Sequence, residues 1–285
     1  MQSYVSPTRK FVGLLSMMRL PNCVMIGFAV IVGEVMASTT VPVRAAFYGF
    51  MTGFLLLAAS MVLNDYFDRE IDRINEPERP IPAGVIKPAE ALSFSLILTA
   101  IGFWFAGNSG AGALVIATVS VIIMVLYNSR LKKTGLLGNA LVSTNVAIPF
   151  VYGGFVVGSP TWSLGIFSLL AFLSSIGREI VKGIVDVSGD TAKGVKSLAA
   201  TEGNTEAAKY GAALFVAAVA LSGLPLILGI VSYYYIPLVA ICDIGFLLTA
   251  YSILANSSPK NAKRSKNYVL VWMMFGLLAF ILGTI

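Results

Sequence analysis

The residues of this chain best suited to chemistry are two acidic groups set at helical spacing. In Asn64-Asp65-Tyr66-Phe67-Asp68-Arg69-Glu70-Ile71-Asp72, a helix advancing about 100° per residue puts Asn64, Asp68, Asp72 and Asp65 at roughly 0°, 40°, 80° and 100°. Four oxygen-bearing side chains then share one face, while Glu70 points away. The same construction gathers Glu179, Lys182, Asp186 and Asp190 on a second narrow face. Carboxylates packed together repel one another unless a cation sits among them, and hard oxygen donors suit a divalent metal such as magnesium. The plainer reading of the first group is a solvated helix end partly neutralised by Arg69 and Arg73. Two such faces, each ending an apolar helix, favour one shared site.

Basic side chains accompany both groups. The run Tyr127-Asn128-Ser129-Arg130-Leu131-Lys132-Lys133 supplies Arg130 and Lys132 as candidate anion ligands, with a topological role as the alternative. The segment 75–84, with Pro77, Pro80 and Pro82, is expected to form a stiff flap over the site. Acids plus Arg and Lys suit a diphosphate bridged by magnesium: carboxylates hold the metal, phosphate oxygens complete its shell, and basic groups balance the remaining charge. If the diphosphate carries an allylic apolar tail, its departure leaves a stabilised carbocation that an acceptor captures with no protein nucleophile. Aromatic faces shield such a cation, and Tyr66, Phe67, Tyr127 and Tyr152 are candidate liners or ordinary packing.

These residues must be positioned by a membrane protein. The 285 residues are 57% hydrophobic and 12% charged, with mean hydropathy +0.83, which excludes an ordinary soluble domain. Nine apolar stretches are long enough to cross a bilayer as helices, at 20–37, 45–65, 89–107, 110–128, 137–158, 163–186, 207–230, 234–255 and 267–284. Pro7 to Met18 reads as an interfacial helix leading into the first. Of the 20 Lys and Arg residues, all but Arg44 fall on one side of the implied topology. By the positive-inside rule that side, with the N-terminus and both acidic faces, is cytoplasmic, and an odd number of spans puts the C-terminus opposite.

No cleavable signal peptide is evident, and the chain is read as one domain, 1–285, of a multi-pass plasma-membrane protein. Helices 1–4 and 5–8 form rough pseudo-repeats, with helix 9 extra. The absence of histidine removes His-based acid/base catalysis and the usual zinc hydrolysis, and two cysteines within spans suggest no disulfide. Glu34 and Asp243 are the only acids away from the cytoplasmic connections, and Asp243 reads equally as a functional or a hydrogen-bonded structural acid.

Asn64-Asp65-x-x-Asp68-x-x-x-Asp72, Asp186-x-x-x-Asp190, the Pro-rich 75–84 segment and the 127–139 run together resemble the UbiA-type intramembrane prenyltransferases. The resemblance spans essentially the whole chain. It implies an all-α bundle of nine transmembrane helices around a cavity open to the cytoplasm. It also implies two magnesium ions bridged by a prenyl diphosphate, one on Asn64, Asp68 and Asp72 with Asp65 in support, the other on Asp186 and Asp190. Lys182, Arg79 and Lys132 would contact the diphosphate.

Within the family, Arg19-Leu20-Pro21-Asn22-Cys23, 64–84 and Arg178-Glu179-Ile180-x-Lys182 look most like the archaeal branch that makes digeranylgeranylglyceryl phosphate, whose donor is geranylgeranyl diphosphate and whose acceptor is the sn-2 hydroxyl of geranylgeranylglyceryl phosphate. Arg19 and Asn22 are candidates for the acceptor phosphate, with an interfacial anchor as the alternative. The chain departs from that branch at Gly183 and Val185, where acids are expected. An aromatic or tetrapyrrole acceptor, of quinone or chlorophyll type, is the alternative within the family. Outside it stand a CDP-alcohol phosphotransferase, whose Asp-Gly-x-x-Ala-Arg opening is missing, and a cation transporter. The expected partners are a prenyl diphosphate, a lipid-like acceptor and membrane lipids, with no nucleic acid and no protein.

Overall fold

A computed structural model describes residues 6–192 and 194–284. Its first helix, α1 (Pro7–Met18), covers the segment expected to form a helix ahead of the first span, capped by Ser6, whose Oγ accepts from Arg9 N at 3.3 Å, with Pro7 opening the first turn. Arg19 then adopts a left-handed conformation, φ 55° and ψ 58°, the one positive φ outside glycine among the described residues. This elbow turns the chain from the surface helix into α2 (Leu20–Ala37).

Next come α3 (Val43–Asn75), α4 (Pro88–Ser109), α5 (Ala111–Ser129), a 3-10 turn (Leu131–Thr134), α6 (Leu136–Val156) and α7 (Ser163–Ala192). After a short α8 (Leu198–Glu202) follow α9 (Asn204–Ser222), α10 (Leu224–Ile227), a 3-10 turn (Tyr233–Tyr235), α11 (Ile236–Ala255) and α12 (Pro259–Gly283). Nine helical segments among the described residues are long and apolar enough to span a membrane, namely α2 to α7, α9 continued by α10, α11 with its preceding turn, and α12. Their outer faces stay apolar, as at Leu96, Ile97, Val115, Leu248 and Tyr251, all exposed. Helices apolar all round need a lipid solvent rather than water.

Three spans run further than expected. α3 continues ten residues past 65, α7 runs to Ala192, and α12 starts at Pro259 rather than 267. At 1.5 Å per residue, α3 is about 50 Å long and α7 about 45 Å, against roughly 30 Å of hydrocarbon. Their polar ends therefore project beyond the bilayer core as continued helix. Hydropathy ends where helix hydrogen bonding does not.

Close backbone approaches set the helix spacing. A Cβ added at Gly33 would lie 2.1 Å from Phe150 O, and one at Gly153 2.3 Å from Val30 O, so α2 and α6 cross with no side chains between them. Successive helices pack as neighbours around the bundle, and α12 returns against both α7 and α2.

The Pro-rich segment does not form a flap. It folds into hydrogen-bonded turns, Ala83 N donating to Arg79 O at 2.9 Å and both Val85 and Ile86 N to Pro80 O at 2.9 and 3.0 Å. Ile81, Val85 and Ile86 are buried in a core with Met17, Met18, Leu55 and Val62. Burial of Ile81, with Val85 and Ile86 just after the segment, packs it against α1, α3 and α4 rather than across the cavity.

Candidate active site

The ends of α3, α5 and α7 enclose a polar basin of about 280 Å³ lined by Asp68, Asn128, Arg130, Lys132, Lys182, Asp186 and Asp190. The two acidic faces thus meet, although 118 positions separate Asp68 from Asp186 in the chain. A second compartment of about 410 Å³ runs into the bundle between α2, α3, α5, α6, α7 and α12. Its walls are mostly apolar, among them Ile26, Val30, Leu56, Ile148 and Met273, with Arg19, Asn22 and Asn64 near one end. Tyr127, Asn128, Glu179 and Lys182 line both spaces.

The α3 acids are buried, Asp65 at 5%, Asp68 at 8% and Asp72 at 4% exposure, and each meets a cation. Asp65 accepts from Arg19 Nη2 at 2.8 Å and lies 3.4 Å from Arg79 Nη1, which donates to Asp72 at 2.7 Å. Lys132 pairs with Asp68. Buried charges persist only when paired and hydrogen-bonded, which these contacts accomplish. Burial alone would lower the Arg79 pKa, but Asp72 and Asp65 outweigh it and hold Arg79 above its ordinary value. The Asn64 and Asn128 side-chain amides meet at 3.0 Å, tying α3 to α5, and the Asn64 amide donates to Asp68 Oδ2 at 3.1 Å and accepts from Lys132 Nζ at 3.1 Å.

On α7 the arrangement is the reverse. Glu179 is buried and accepts from both Arg178 Nη1 at 2.9 Å and Lys182 Nζ at 3.0 Å, whereas Asp186 is exposed. Neither Asp186 nor Asp190 makes an ion pair among the described residues. Lys132 is brought to the basin by the 3-10 turn, which docks through Lys196 N donating to Lys133 O at 3.0 Å. Gly135, at φ 70°, permits this approach, since a Cβ there would sit 1.8 Å from Lys196 O.

Several sequence expectations change. Arg69 and Arg73 do not neutralise the α3 acids: Arg73 donates outward to Glu70 at 2.6 Å, and Arg69 donates to Tyr66 O at 2.7 Å, 3.7 Å from Glu70 and 4.7 Å from the Tyr66 ring centroid. Tyr66 packs against the core that contains Met17 and Ile86 and lines neither compartment. Phe67 lines the basin instead. The helical wheel explains the exchange: Tyr66 stands about 160° from Asp68, Phe67 about 100°. Asp65 and Asp72 also line neither space, being turned to the arginines.

Tyr127 and Tyr152 do line the chamber, with the Tyr152 hydroxyl buried and unbonded among the described residues. Asp243 is hydrogen-bonded, accepting from Ser222 Oγ at 2.7 Å, beside a separate cavity of about 90 Å³. Glu34 is fully buried, with neither oxygen partnered among the described residues.

Hard-oxygen donors on opposing helix ends fit magnesium, which takes one or two carboxylates and fills its octahedron with phosphate oxygens and water. Among the described residues no three acidic side chains are already gathered around one point. Lys132 and Arg79 occupy the α3 acids in this state.

Lys266 is a chamber residue that sequence reasoning assigned to a connection. The signal was present in Ser258-Pro259, an N-cap followed by proline in the first turn, where Ser258 Oγ accepts from Asn261 N at 3.4 Å and starts the last helix about two turns before Lys266.

An apolar helical bundle with an acid- and base-lined basin opening into a buried chamber defines a membrane-embedded enzyme that handles an anionic head and an apolar tail. The UbiA prenyltransferase family model matches residues 26–281, and the chain belongs to that family. It is 36% identical over 285 residues to a digeranylgeranylglyceryl phosphate synthase of Methanosarcina mazei, covering 94% of this chain and 97% of that one. A solved structure described as giving insights into digeranylgeranylglyceryl phosphate synthase in membranes aligns with TM-score 0.78 and 35% identity, over 96% of this chain and 98% of that one. A UbiA homologue from Archaeoglobus fulgidus, bound to GPP and Mg2+, shares the fold with TM-score 0.66 at 16% identity, over 95% and 99% of the two chains.

Proposed function

We propose that this protein transfers a geranylgeranyl group from geranylgeranyl diphosphate to the sn-2 hydroxyl of geranylgeranylglyceryl phosphate, as the names of its relatives at about a third identity suggest. One observation carries the reading: the basin and the chamber share Tyr127, Asn128, Glu179 and Lys182, so a diphosphate among the acids leaves its tail inside the bundle. We read two magnesium sites, one that Asp68 and Asn64 would serve, with Asp72 joining once it turns from Arg79, and one that Asp186 and Asp190 would serve; the Archaeoglobus homologue carries Mg2+ with its prenyl diphosphate. When bound, the ions supply charge neutralisation to the leaving diphosphate.

The chain's own residues do the rest. Lys132, Arg130 and Lys182 balance the phosphate oxygens, Lys132 leaving Asp68 to do so. Arg79 and Arg19 hold Asp72 and Asp65 in place. The apolar chamber excludes water, so the C1–O bond of the donor breaks beside the acceptor rather than beside a competing nucleophile. The Tyr127 ring faces this region and shields the allylic cation. The sn-2 oxygen then bonds to C1 and passes its proton to the departing diphosphate, which leaves through the basin. The distribution of the basic residues orients the basin towards the cytoplasmic face of the plasma membrane, with the C-terminus opposite, and the whole chain acts as one catalytic unit.

The test is turnover of purified protein with geranylgeranyl diphosphate and magnesium, offering geranylgeranylglyceryl phosphate and 4-hydroxybenzoate in separate reactions. Magnesium-dependent transfer to the glyceryl phosphate is expected. Transfer only to the aromatic acid overturns the acceptor assignment, and no transfer with no diphosphate release overturns prenyl transfer itself.

A further inference from the structure

The chamber wall built by α7 and α12 carries more positive charge than it neutralises. Arg178 and Lys182 share a single carboxylate, Glu179. Lys266, on α12, lines the same chamber and makes no ion pair among the described residues. Three cations against one carboxylate leave two positive charges. The acids whose fields reach Lys266 are Asp186 and Glu179; the first belongs to the metal set proposed above, and the second is already doubly engaged. Arg178 is fixed by Nε donating to the Lys266 carbonyl at 3.2 Å and Nη1 to Glu179 at 2.9 Å, while its Nη2 makes no hydrogen bond among the described residues.

The opposite wall differs. Arg19 lines the chamber too, but its charge is matched by Asp65 at 2.8 Å. Uncompensated cations in a half-buried, low-dielectric wall are costly unless an anion binds there, and with Lys182 turned to the donor diphosphate, Arg178 and Lys266 remain to meet a phosphomonoester, which carries about −1.5 to −2 at neutral pH.

We propose that Arg178 and Lys266 form the subsite for the phosphate of the acceptor, a phosphomonoester of a lipid alcohol, in place of Arg19. Lys182, which lines both basin and chamber, lies between this phosphate and the donor diphosphate and so brings the two heads together. Positioning of this kind converts two bound lipids into neighbouring reactants. The inference rests on the prenyl-transfer reading of the site.

It is tested on the full-length protein with geranylgeranyl diphosphate as donor and two acceptors, geranylgeranylglyceryl phosphate and the same alcohol lacking phosphate. Lys266→Gln is expected to raise KM for the phosphorylated acceptor about tenfold, shift KM for the donor less than about twofold, and cut the preference for the phosphorylated acceptor by about tenfold. Lys266→Arg, with monodisperse elution as a folding check, recovers most of that preference. Donor KM rising in step with acceptor KM overturns the subsite and makes Lys266 a diphosphate ligand. An unchanged preference in Lys266→Gln overturns the subsite while leaving the function intact. A wild type that uses neither glyceryl acceptor overturns the function, and the subsite with it.

Discussion

The acidic ends of α3 and α7 face each other across one basin, yet they are neutralised in opposite ways. On α3 every aspartate is buried and already holds a cation, Asp65 with Arg19 and Arg79, Asp72 with Arg79, Asp68 with Lys132. On α7 the cations are drawn to Glu179, and Asp186 and Asp190 are left without ion pairs among the described residues. The α3 side is therefore a rigid, internally balanced scaffold that must exchange Lys132 for a metal. The α7 side is a pair of carboxylates one turn apart, without ion pairs among the described residues, whose repulsion a bound cation relieves. Affinity for the metal should then depend on the donor more strongly at α3 than at α7.

Substitution is the sharpest way to break this contrast. Asp68→Ala and Asp186→Ala should each lower turnover by about 10³-fold or more, measured by diphosphate release. Their stabilities should diverge: Asp186→Ala leaves the melting temperature unchanged or raised because it removes repulsion, whereas Asp68→Ala lowers it by stranding Lys132. Equal losses of melting temperature would remove the distinction. Next in size, Lys132→Ala should raise KM for the donor about tenfold with a smaller change in KM for the acceptor.

Two further substitutions address stability. Gly135→Ala places a Cβ against Lys196 O in a left-handed backbone and should cost about 2 kcal/mol, displacing the turn that carries Lys132. Arg79→Ala leaves Asp65 and Asp72 short of a cation. Because Arg79 is about a third exposed, at 32%, the buried-pair penalty is discounted to roughly 1–2 kcal/mol. Both are read as falls in melting temperature in detergent, and an Arg79→Ala protein as stable as wild type would mean that Arg19 alone balances the pair.

Much of this arrangement was legible in the chain. Helical spacing alone placed Asn64, Asp68 and Asp72 on one face and Asp186 and Asp190 on another, because residues three and four apart recur on the same side of any α-helix. Hydropathy found the spans but misjudged their polar ends, since α3 and α7 continue as helices beyond the apolar stretch. The segment 75–84 was misread for a related reason. Its prolines suggested a stiff flap over the site, while Ile81 and the adjoining Val85 and Ile86, with an ordinary hydrophobic drive to bury, decided where it packs. Tyr66 shows the cost of judging by residue type over angle: the same wheel that gathered the acids places its ring on the far side of α3.

What the sequence determined by itself, then, is everything with a short repeat length or a bulk average: nine apolar stretches long enough to span a bilayer, and two acidic helix faces. Charge pairing lay beyond it. That Arg19 spends its charge on Asp65, that Glu179 takes both Arg178 and Lys182, and that Lys266 is left over in the chamber wall depend on helices distant in the chain being packed to within a few ångströms. Coulomb attraction inside a low-dielectric bundle selects partners by distance through space, and only the tertiary structure fixes those distances.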